Sequence, residues 1–250
     1  MNRLGWIRLG VVAALIGLLE ALCRSGAIGR LTMIPPSDMA VALVKLLQDP
    51  KMLRHIGETL RNVAVALALA LVTGFAAGVV IRALPRLRRA LEPLLATWYA
   101  VPFFMFYPLL IVIFGLGDLP VVMVGFLFAV VAMIVATLNG LDRVPRVLGK
   151  VARVLRIDGA RRALLIDLPC AAPYLLTGAK LALAYSFIGV IASEFIMSGS
   201  GLGHEIAFAY NNFDNRTMYG LMLLVIVLVT AANMALHVYE QRQLRKRSRG

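Results

Sequence analysis

The sequence predicts an all-α, polytopic membrane protein of about six transmembrane helices, and three observations predict it. Hydrophobic residues make up 60% of the 250 and charged residues only 16%, with a mean hydropathy of +0.83. Ordinary domains carry about 45–50% and about 25% respectively. Six long apolar runs, 6–23, 62–81, 94–114, 119–138, 171–197 and 218–238, each suffice to cross a hydrocarbon core about 30 Å thick. Finally, the basic residues are distributed unevenly among the connections. A water-soluble globule, a disordered chain and a fibrous repeat are all excluded by so much contiguous apolar sequence.

Sorting the 26 Lys and Arg by connection orients the chain. Eighteen fall on one side, in the start, in 82–93, in 139–170 and in the tail 239–250; seven fall on the other, and Lys180 lies within a run. The richer side is cytoplasmic, which places both termini there. The net charge of +13 is thus accounted for by topology and contact with lipid headgroups, without nucleic acid. The first run follows a basic start as a signal peptide would, but the large Leu22 beside Ala21 before Cys23 fits no cleavage site, so a retained anchor is expected. Cys23 and Cys170 fall on opposite faces and cannot join in a disulfide.

In the connection 24–61, Pro35-Pro36 stops the chain, and Ser37 is placed to cap a helix whose Ala40, Leu43, Val44 and Leu47 share one face along the membrane surface. The second run carries Gly74 and Gly78, a GxxxG spacing that lets helices approach closely within one subunit or between two. The third carries Pro102 and Pro108 among aromatic residues including Tyr107, and a proline-broken span often lines a cavity. The connection 139–170 is far longer than a turn between spans requires. From Arg146 its basic residues recur at Lys150, Arg153 and Arg156, with Val147, Val151, Val154 and Leu155 on the other flank, the pattern of an amphipathic helix. Asp158-Gly159 interrupts it; a second short helix, Ala160 to Ile166, then ends at Leu168-Pro169 before the fifth span.

This layout resembles the membrane permease subunit of bacterial ABC importers. The mark of that family is a cytoplasmic segment reading E-A-A, three residues, G, nine residues, I, one residue, L-P. Here Ala152, Ile166, Leu168 and Pro169 agree, while Lys150 stands for the glutamate and Arg156 for the glycine, so that Gly159 is expected to supply the turn. The stretches Ile34-Pro35-Pro36-Ser37, Arg86 to Pro93, Phe114 to Gly117, Ala192 to Ile196 and Gly201 to His204 are similar to the subgroup importing nitrate, taurine and alkanesulfonates. The resemblance implies a single permease domain, 1–250, in a bacterial inner membrane. Its short coupling helix, about 147–158, inserts into a cytoplasmic ATPase subunit that binds the ATP and Mg, and an extracytoplasmic binding protein delivers the solute to a permease dimer. It assigns coupling to the segment 146–169, with Lys150, Val151, Ala152, Arg153, Leu155, Arg156, Asp158, Gly159, Ile166, Leu168 and Pro169. Nothing in the chain forms a phosphate-binding loop, because around Gly149-Lys150 the required earlier glycine is Val144 and the following position is Val151. The permease is therefore read as a non-enzyme that binds no cofactor itself.

Pathway candidates are Pro102, Tyr107, Tyr185, Ser193 and Glu194, the last because an acidic group near membrane depth is costly unless paired or hydrated. Lys180 is expected to snorkel toward the cytoplasmic interface. His55, His204 and His237 are too dispersed for a metal site. A stand-alone ion-coupled transporter or channel is the alternative reading, and it requires more charged residues deep in the spans than Lys180 and Glu194. An intramembrane protease built on Ser200 and His204 fails because Ser198 stands where its motif needs glycine.

Overall fold

The computed structural model describes residues 3–29, 32–157 and 159–247. Among them the helices are α1 (Arg3–Arg24), α2 (Pro36–Leu46), α3 (Pro50–Ala83), α4 (Pro85–Thr97), α5 (Tyr107–Phe114), α6 (Asp118–Asp142), α7 (Arg146–Val154), α8 (Gly159–Arg162), α9 (Leu168–Met197), α10 (Leu202–Asn211) and α11 (Asn215–Arg247), and there is no strand. Four stretches of the described residues are long and apolar enough to cross a membrane: Pro50–Ala83, Asp118–Asp142, Gly159–Ile196 and Asn215–Val238. They contain the second, fourth and sixth predicted runs and all but the last residue of the fifth, and the first lies within α1.

The third run is not one helix. Pro85–Ala100 and Phe103–Phe114 meet at 88°, joined through single 3-10 turns at Trp98–Ala100 and Phe103–Phe106. Pro102 has no N–H to continue a helix and pushes Val101 into an extended conformation, ψ 118°. The fifth differs in the opposite sense, since no helix ends at Leu168-Pro169. A π turn at Ala163–Asp167 leads directly from α8 into α9. The widened turn accommodates a proline that lacks the i−4 donor just beyond it. The segment 239–250, read as a basic tail, begins as a continuation of α11.

Contacts divide the chain into two compact units. One comprises Met1–Glu58 and Glu194–Leu228, the other Thr59–Ser193 and Val229–Gly250. The first has a core of Met52, Leu202, Ile206, Leu221 and Leu224. In it α2 turns Ala42 and Leu46 onto Gly220, where an added Cβ would lie 2.9 and 3.0 Å from their side chains. Of the four apolar residues expected to share a face along the membrane surface, Leu43 packs on this core, and Ala40, Val44 and Leu47 are exposed. Ser37 is not the cap either: α2 starts at Pro36, and the Ser37 backbone N–H donates to Glu20 Oε2 at 3.0 Å and its hydroxyl to Oε1 at 2.7 Å.

In the second unit α6 is the central helix, two-thirds buried over its apolar window. Small residues set its neighbours' approach. A Cβ at Gly74 would lie 2.8 Å from the Val130 carbonyl oxygen, and one at Gly78 would lie 2.6 Å from Thr137. The GxxxG of α3 is thus occupied within the subunit by α6. At the crossing with α9, a Gly189 Cβ would meet Gly125 Cα at 2.7 Å.

Candidate functional site

Three places bring the predicted residues together. The first is the arginine-rich elbow. Ala152 of α7 is fully buried, whereas Val147, Val151, Val154 and Leu155 are exposed, the last two at 82% and 62%. The helix is amphipathic as expected but holds the chain's body with one small residue and leaves its larger apolar groups uncovered. It ends at Val154, and Arg156, at the position of the family's glycine, adopts φ 51°. The Ile157 N–H then reaches back to the Ala152 carbonyl at 2.8 Å, satisfying a carbonyl of the last turn. The turn expected at Gly159 is therefore made first at Arg156, and Gly159 adds a second left-handed residue at φ 55°. Asp158 lies outside the described residues. Lys150 and Arg153 are exposed on α7, Ile166 is half-buried in the π turn, and Leu168 and Pro169 open α9.

The second place is the break between α4 and α5. The Trp98 indole N–H donates to the Leu127 carbonyl at 2.9 Å, Phe103 meets Phe128 edge to face at 5.6 Å, and Tyr99 stacks on Tyr185 at 4.7 Å. A cavity of about 210 Å³ beside this stack is lined by Tyr99, Asn139, Tyr174, Thr177 and Tyr185. Another, of about 340 Å³, shares Tyr99, Val135 and Asn139 with it and reaches Arg88 and Glu92. Pro102 is exposed at the break, while Tyr107 is buried in the core beside it. Ser193, also fully buried, donates its hydroxyl back to the Gly189 carbonyl at 2.8 Å.

The third place surrounds Glu194, fully buried. Helix α10 begins after Gly201, which has φ 96° and no side chain to cap with. Glu194 supplies the missing acceptor: its Oε2 takes the Gly203 N–H at 3.1 Å, and the helix dipole favours a carboxylate there. The Gly201 N–H donates to His55 Nδ1 at 3.2 Å, which turns the other ring nitrogen toward Glu205 Oε1, also at 3.2 Å. Sequence reasoning singled out Glu194 but missed Gly201 as its neighbour and His55 as the partner of Gly201. The available signal was Gly201-Leu202-Gly203 seven residues after the acidic group. The Lys180 ammonium extends to a partner near the basic end of the chain: it is bonded to Glu240 and lies 3.1 Å from His237 Nδ1. Lys180, with His237 beside it, holds the Glu240 carboxyl below its ordinary range. Among the described residues no three His, Cys, Asp or Glu side chains gather as a metal site.

Comparison with known proteins extends this picture. The nitrate import permease protein NrtB of Leptolyngbya laminosa is 29% identical over 189 residues, covering 76% of this chain and 66% of that one. The taurine transport system permease protein TauC of Escherichia coli is 23% identical over 249 residues, 97% of this chain and 90% of that one. A subunit of the inward-facing MetNI methionine ABC transporter superposes with a TM-score of 0.64 at 20% identity, covering 76% of this chain and 94% of its own, a likeness of fold. Residues 39–248 match the family model described as the binding-protein-dependent transport system inner membrane component, and the chain belongs to that family of ABC importer permeases.

Proposed function

We propose that this chain is the pore-forming half of an importer that admits a small oxyanion or sulfonate, working as a homodimer with both termini in the cytoplasm. A cytoplasmic ATPase subunit carries the ATP and Mg and grips α7, and an extracytoplasmic binding protein supplies the solute. The observation that carries this reading is α7 itself: Ala152 faces inward while Val147, Val151, Val154 and Leu155 stand uncovered on the side richest in Arg and Lys. An apolar stripe flanked by cations suits a groove on a soluble partner, where burial contributes about 25 cal/mol per Å². The nitrate, taurine and aliphatic sulfonate specificities in the relatives' names support the solute class. Pairing of Lys180 with Glu240 leaves the ion-coupled alternative without a free charge at that position.

Co-purification of the ATPase subunit tests this. Leu155→Asp with Val154→Asp places charge on exposed positions and is expected to reduce ATPase recovery at least tenfold with normal membrane insertion. Gly159→Pro is expected to do the same, because proline cannot adopt the φ of 55° found there. Full ATPase recovery by the double Asp variant would refute the docking assignment.

A further inference from the structure

The break between α4 and α5 lies at an unusual depth. Its Trp98 and Phe103 pack on Leu127 and Phe128 of α6, about 14 Å along that helix from Asp118 at 1.5 Å per residue. That is near the middle of a hydrocarbon core about 30 Å thick. In place of the i−4 bonds of a continuous helix, it has short-range ones: the Val101 N–H to the Trp98 carbonyl and the Met105 N–H to the Pro102 carbonyl. Irregular backbone at this depth is not tolerated against lipid, where peptide groups find no partner; it persists where protein covers it or water reaches it. Yet on this chain the break is uncovered, with Pro102 exposed and Met105 at 67%. The cavities beside it continue past Asn139 to Arg88 at the arginine-rich end. Within a largely apolar lining, the phenols of Tyr99, Tyr174 and Tyr185 and the Asn139 amide can donate to an oxygen-bearing solute as water does.

We infer that the non-helical turn at Val101–Met105 and the crevice of Tyr99, Asn139 and Tyr185 form the cytoplasmic half of a hydrated translocation path. This rests on the permease reading above and assigns the path to particular residues. In secondary transporters, discontinuous helices at the midplane hold the solute contacts, and here a comparable discontinuity is built from Pro102 and two short turns.

The test uses single cysteines in a Cys23→Ser, Cys170→Ser background, co-produced with the ATPase subunit. Inverted vesicles expose the cytoplasmic side to a membrane-impermeant thiosulfonate. Met105→Cys and Asn139→Cys are expected to react at least tenfold faster than Val72→Cys. Val72 is 70% exposed on α3, close to the level of Gly74, which abuts Val130 and Met133 of α6. ATPase co-purification is scored in the same membranes. If Met105→Cys reacts no faster than Val72→Cys while the ATPase is retained, the path is wrong and the permease reading stands. Reaction only with a lipid-soluble maleimide would equally overturn it, since that would place the break against lipid.

Discussion

The surroundings of Glu194 and the elbow around Ala152 use the same materials to opposite ends. Around Glu194 polar side chains bond the chain's own backbone: the Oε2 of a fully buried carboxylate takes the Gly203 N–H, and a half-buried histidine takes that of Gly201. At the elbow the buried residue is an alanine, and the large apolar side chains and the cations are outside. The first arrangement draws its donors from the same chain, because a buried carboxylate left without donors costs several kcal/mol. The second leaves apolar side chains exposed side by side on this chain, the kind of surface that marks an interaction site. On the proposed docking, the difference separates a region whose residues maintain the fold from one whose residues are left for another subunit.

The sharpest way to break that contrast is at Gly201. An added Cβ would lie 2.3 Å from Glu194 Cδ, at a φ of 96°. Gly201→Ala therefore combines left-handed backbone strain with overpacking against a buried carboxylate. The expected loss is about 3 kcal/mol, read as a lowered melting temperature of the purified protein in detergent. Glu194→Gln retains an acceptor oxygen and the shape, and is expected to lose less. A Gly201→Ala protein melting with the wild type would show that this region is not closed upon itself.

The elbow predicts an effect of opposite sign. Arg156 holds φ 51°, a conformation that favours glycine. Arg156→Gly is expected to stabilise the isolated permease by about 1 kcal/mol, whereas Arg156→Ala keeps the strain and gains nothing. Comparison of the two melting shifts checks the assignment. Phe213 (φ 58°) ends α10 in the same way, with the Asp214 N–H reaching the Ala209 carbonyl at 2.9 Å. Two helices of this chain thus end in the left-handed region without a glycine.

Much of this was legible in the residues themselves. Long apolar runs report helices because span length is fixed by the bilayer, and the recurrence from Arg146 to Leu155 reports α7 because its period is that of one helix face. What escaped depended on partners distant in the chain. The partner of Lys180 is not legible, because Glu240 lies 60 residues on in what reads as a tail. The contact of Ala42 with Gly220 is not legible either, because Gly220 lies in α11, far along the chain. Pro102 announced a bend in the third run but not its angle of 88°, which Trp98 and Phe103 fix by packing on α6. Glu194 stood out as a costly group, yet its role at α10 required knowing that Gly201 leaves that helix without a capping side chain.

The smallest effect sharpens the comparison at the Asp214 turn, where a polar group is also spent on the chain's own backbone. Asp214 Oδ1 accepts the Thr217 N–H in the first turn of α11 at 3.1 Å. Hydrogen bonding from Thr217 holds the carboxyl below its ordinary range, against the opposing effect of partial burial. A depressed folded-state pKa means that the stabilisation is present above the unfolded carboxylate's pKa and is lost as pH falls through the folded value. Because the side chain is exposed, Asp214→Ala is expected to cost only about 0.5 kcal/mol at neutral pH, at the low end for a lost cap. The melting curves of wild type and variant should converge in acid, as protonation of Asp214 removes the difference between them. A gap that stays constant down to pH values where the carboxyl is neutral would mean that the ionised oxygen is not what holds this turn.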